Sequence, residues 1–164
     1  MQLKKLSVIL AVVMLFATGC TQEEELKQVT PAAKTETTLA GNVAKPAWAV
    51  PEDYDMTSSM TAIVKVDLTQ TYEKELAGLN WKVSADDVFA AFDGETCIGV
   101  AELSENLFFL YITAPASGAQ TVALRYWSSA LKNVFVAQET ITFANDQHLG
   151  SVSEPFAPKF VVKQ

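Results

Sequence analysis

The chain has 164 residues, 49% of them hydrophobic, and a formal net charge of −7. That length holds one ordinary domain with a leader, but not two cores. Its acidity repels phosphate backbones and anionic headgroups, so no nucleic acid is expected as a partner, and membrane attachment needs something other than a basic patch.

The first element is a leader. Lys4 and Lys5 precede an apolar run from Val8 to Ala17, and small residues follow. That order predicts a secretory signal peptide over residues 1–19. The run is too short to span ~30 Å of hydrocarbon as a helix. Ala17-Thr18-Gly19-Cys20 resembles the bacterial lipobox, in which the cysteine thiol is acylated and the chain is cut just before it. Cys20 is therefore the expected lipidation site; the alternative is a secreted protein with an incidental cysteine. Cleavage leaves 145 residues and, because Lys4 and Lys5 depart, a net charge of −9.

Residues 20–45 read as a lipidated tether. Glu23-Glu24-Glu25 is acidic, and Val29 to Lys45 is rich in Thr, Ala, Lys and Pro with no apolar period. Such a segment buries too little surface to offset its ordering entropy. The acidic run resembles the export signal of surface lipoproteins in some Gram-negative anaerobes, which implies an outer-membrane lipoprotein facing the cell exterior. A merely solvated charge run is the other reading.

Residues 46–164 form the expected domain, where an alternating period dominates. Strands are predicted over Thr61–Leu68, Val88–Phe92, Thr96–Leu103, Leu107–Thr113, Gln120–Trp127, Val134–Ala137, Glu139–Phe143 and Lys159–Val162. Asp93-Gly94 is a strong hairpin signal. Leu107–Thr113 is apolar on both faces, which predicts a doubly covered strand. Thr71–Leu79 has helical spacing at Tyr72, Leu76 and Leu79. About eight short strands with turn signals between them predict an all-β, two-sheet antiparallel β-sandwich, immunoglobulin-like or jelly-roll-like.

Trp48, Tyr54, Ser59-Met60-Thr61, Asp86-Asp87, Ala91-Phe92 and Cys97-Ile98-Gly99-Val100-Ala101 occur in that order. The pattern resembles a small β-sandwich module of surface lipoproteins and secreted proteins in Gram-negative anaerobes, over roughly residues 48–160. The family has Arg where Ile98 stands. The resemblance implies fold and location, and no enzymatic activity.

Catalysis is poorly supplied. The one histidine, His148, sits in a turn-like Asn145-Asp146-Gln147-His148-Leu149-Gly150 segment. Nucleophile elbow, phosphate loop and zinc-ligand spacing are all missing, although dispersed carboxylates leave a glycosidase open. Cys97, with Cys20 committed to lipid, is read as a buried inert thiol. Asp86 and Asp87 are the best metal candidates, with calcium the ion that suits hard oxygens; the plain alternative is a loop end. Trp127 and Arg125 share a predicted outward face with Thr121, where an indole beside polar groups suits a sugar ring or a protein partner. The other reading packs Trp127 under a neighbouring segment, with Trp48 plugging an end of the sandwich and Trp81 capping a loop. The expected function is a non-enzymatic, lipid-anchored envelope protein with a protein-binding or assembly role; a carbohydrate-binding module for polysaccharide capture is the alternative.

Overall fold

A computed structural model describes residues 39–116 and 121–164. The signal peptide, Cys20 and most of the expected tether lie outside the described residues. Among the described residues, nine strands and one short helix follow in order: β1 (Ser58–Val64), α1 (Thr69–Leu76), β2 (Val88–Asp93), β3 (Thr96–Val100), β4 (Glu102–Ser104), β5 (Leu107–Ala114), β6 (Ala123–Ser128), β7 (Asn133–Ala137), β8 (His148–Leu149) and β9 (Phe160–Val162). They form a four-stranded sheet ordered β4-β5-β1-β8 and a five-stranded sheet ordered β3-β2-β6-β7-β9. Pairing is antiparallel except where β8 runs parallel to β1. The expected two-sheet sandwich is the architecture found.

Alternation builds the core. Met60, Ala62 and Val64 of β1 face inward with Phe108, Leu110 and Ile112 of β5, while the other sheet supplies Phe89, Leu124, Tyr126, Phe135 and Phe160. The rings interlock: Phe89 stacks on Phe108 at 5.0 Å, and Tyr126 lies about 6 Å from Phe108, Phe135 and Phe160. Such contacts add to area burial. The helix α1 docks Tyr72 and Leu76 into this core, and the Tyr72 hydroxyl accepts from the Val162 N–H at 2.9 Å.

Two turns shape the hairpins differently. Gly94 takes φ +58 at the first central position of the β2–β3 turn, which suits glycine. The β4–β5 turn instead puts Glu105 and Asn106 at φ 50 and 65, both left-handed. Sequence reading runs Thr96–Leu103 as one strand, but at Ala101 the chain crosses from one sheet to the other. Its N–H bonds Phe89 O at 2.9 Å, and Thr113 Oγ1 donates to Ile98 O at 3.0 Å. The crossing is tight: a Cβ on Gly99 would lie 2.3 Å from Tyr111 O.

Three further expectations change. Glu139–Phe143 is no strand, and retains only the bridge between Ile141 and Val122. β5 is covered on one side alone, because Phe109 and Tyr111 point to solvent. The folded body takes in residues placed in the tether: Leu39 is buried in the core, Gly41 N–H and Val43 N–H donate at 2.8 Å to Leu131 O and Lys132 O, and Asn133 Nδ2 donates to Leu39 O at 3.1 Å.

Candidate functional site

The two sheets have outer faces of opposite character. On the five-stranded sheet, register sets Ala90, Phe92, Arg125 and Trp127 outward. The expectation that Trp127 and Arg125 share that face holds, but the face is closed. Trp127 is 2% exposed and Arg125 8%. The Trp127 indole N–H donates to Val43 O at 3.0 Å, and Lys132 Nζ lies 5.2 Å above its ring. Trp48 does not plug an end of the sandwich. It packs edge-on against Phe92 at 5.3 Å, in a second cluster with Ala90 and Cys97. Trp127 is thus a packing residue and offers no platform for a ligand.

Arg125 is equally occupied. Its guanidinium makes a two-pronged bond to Glu95 at 2.9 and 2.7 Å, donates to Gly94 O at 3.0 Å and lies 4.0 Å over the Phe92 ring. It fastens the β2–β3 turn to β6. The hydrogen bond and charge of Arg125 hold the Glu95 carboxyl below its ordinary range. Burial pushes the Cys97 thiol up, as suits an unreactive cysteine.

Asp87 also serves the fold. Its carboxylate accepts from Ser84 N–H at 2.9 Å, from Ser129 N–H at 2.7 Å and from the Tyr126 hydroxyl. Those three donors satisfy it with no cation required. Its neighbour Asp86 is exposed, and its backbone N–H donates to Ser84 Oγ at 3.3 Å. The pair does not converge on a shared site, and no group of three or more His, Cys, Asp or Glu side chains suited to a metal occurs among the described residues. Where the resembled family has Arg, Ile98 is fully buried in the core.

The face that remains open is that of the four-stranded sheet. Register places Tyr111 of β5 beside Thr61 of β1, and Thr61 beside His148 of β8. Phe109 lies between Glu102 of β4 and Ile63 of β1. Tyr111 is 57% exposed, Phe109 37%, and Val100 stands at the margin of the same patch. A hollow of about 480 Å³ lies between Tyr111, Phe109, Ile63 and Glu102. A second, of about 230 Å³, lies on the other side of Tyr111 against Asp146, Gln147 and His148. A third, of about 310 Å³, continues past His148 toward Thr142 and Phe156. Thr61 Oγ1 bonds His148 Nδ1, which pins the short β8 to the sheet.

Sequence reading missed this site because Phe109 and Tyr111 lie in a continuous apolar run. The legible signal was weaker: Tyr111 is the one aromatic with a polar group in the run Leu107–Ala114. Comparison of the chain with protein-family models, with curated proteins and with solved structures finds no match.

Proposed function

We propose that this protein is a lipid-anchored envelope protein presenting a non-catalytic binding sandwich, and that its partner is another protein engaged by the open face of the four-stranded sheet. One observation carries the reading. One outer face is sealed by the protein's own residues, whereas the other leaves Tyr111, Phe109 and Val100 in solvent as one patch. Contiguous apolar patches of this kind mark interaction sites, and exposed aromatic rings supply the anchors of such interfaces. The leader, Cys20 and the acidic run after it supply the location: an outer-membrane lipoprotein facing outward, tethered by acyl chains. The resemblance over residues 48–160 to surface-lipoprotein modules supports the same location.

Two experiments test the two halves. Labelled palmitate should enter the wild-type chain and not the Cys20→Ala variant; failure to incorporate removes the anchor. For the face, the anchored protein serves as bait in solubilised outer membrane, alongside a Phe109→Ala/Tyr111→Ala variant with an unchanged melting temperature. A specific protein band lost in the variant supports the reading, and bands identical between the two baits refute it.

A further inference from the structure

We infer that the open face accepts an extended peptide segment with lysine or arginine on both sides of an apolar centre. This rests on the reading of that face as the binding surface. The first argument is shape. The three hollows share residues, since Thr61 and Tyr111 line the first and second, and Met60, Gln147 and His148 line the second and third. The first two, which share the outward Thr61 and Tyr111, therefore form one track across the strands, while the third is lined by the core residues Met60 and Ile141 and lies off that face. From β4 to β8 is three strand spacings, about 14 Å at 4.7–4.9 Å each. An extended chain advances about 3.3 Å per residue, so four or five residues fill that span.

The second argument is charge. The three linings contain two carboxylates, Glu102 at the β4 end and Asp146 near β8, and no lysine or arginine. Between them stand Phe109, Tyr111 and Ile63. Lys65 is exposed two residues beyond Ile63 but lies outside all three linings. A complementary ligand places a cation at each end and apolar side chains in the middle. The exposed Tyr111 ring adds an attractive face for either cation, and the chain's overall charge of −7 favours approach of a basic partner. The hollow beside Phe109 argues for peptide over sugar. Its lining includes Ile63, Val100 and Phe109, with side-chain hydrogen-bonding groups only on Thr61, Glu102 and Tyr111. Ring hydroxyls buried there go largely unpaired, which is costly, whereas an aliphatic side chain does not.

The test is selection from a phage-displayed library of random linear peptides, on the full mature chain and in parallel on its Tyr111→Ala variant. Peptides recovered only on the wild type should carry Lys or Arg flanking an aliphatic or aromatic centre. Synthetic copies should bind about tenfold more weakly to Glu102→Gln and to Asp146→Asn, both with unchanged melting temperature. Raised salt should weaken binding to the wild type. Tyr111-dependent peptides without cationic enrichment overturn the charge inference and leave the binding face standing. Equal recovery on both baits overturns the face itself. A glycan array with Tyr111-dependent neutral sugars, and no peptide enrichment, overturns the peptide class.

Discussion

Trp127 and Tyr111 make an instructive pair. Each is an aromatic residue on the outward side of a middle strand, β6 in one sheet and β5 in the other. Yet Trp127 is buried and Tyr111 is the more exposed of the two aromatics on its face. The difference lies in neither strand. It comes from residues 39–48, which run from Leu39 in the core through Val43 at the indole to Trp48 on Phe92. Alternation within a strand tells which side of a sheet a residue faces; a distant segment decides whether that side meets water.

The sharpest way to break this comparison is to truncate each ring. Trp127→Ala should cost about 3–5 kcal/mol in denaturant unfolding, the usual range for a buried Trp, and a loss under 1 kcal/mol would show the cover to be superficial. Next is the cover itself. A chain beginning at Pro46 lacks the buried Leu39 and the hydrogen bonds of Gly41 and Val43, and should lose at least about 2 kcal/mol, read from the same titration. An unaltered midpoint would return residues 39–45 to the tether.

The third test concerns pH. Burial first, and then the bond to Asp87, raises the Tyr126 phenol above its ordinary value. A folded pKa above the unfolded one means that the stability is fully present below about pH 10 and is lost as pH rises beyond it. Stability should fall above pH 10 by at most about 1.4 kcal/mol per unit from this group. Tyr126→Phe should flatten that limb, and a slope unaffected by the substitution would sever the link. Glu95 has the opposite sign: its lowered pKa contributes stability present above the unfolded value and lost as pH falls below about 4.3. Being solvated, it should tilt the acid limb only slightly, and Glu95→Gln should remove that tilt. The smallest effect expected is on the open face, where Tyr111→Ala should leave stability within about 0.5 kcal/mol.

Much of the fold was legible from the residues themselves. The alternation in Thr61–Leu68 and Gln120–Trp127, and the Asp93-Gly94 pair, predict strands and a hairpin that the structure contains, although the first strand stops at Val64 and the second begins at Ala123. The β4–β5 turn was illegible because Glu105 carries no preference for the left-handed conformation it adopts. The candidate site was illegible for a different reason. Phe109 and Tyr111 are aromatic residues set among the core residues Phe108, Leu110 and Ile112, so period 2 vanishes where it is most needed. The alternation puts Arg125 on its correct face, but its partner Glu95 lies thirty residues away in sequence and its role emerges only once the turn folds back.

Gly99 ties the interior to the exposed face. With the Tyr111 carbonyl 2.3 Å from where its Cβ would sit, even a methyl group there must lift the β5 backbone. The height of the Tyr111 ring above the sheet thus depends on an atom that residue 99 lacks. Gly99→Ala is the substitution that should misalign the outer patch while altering none of its side chains.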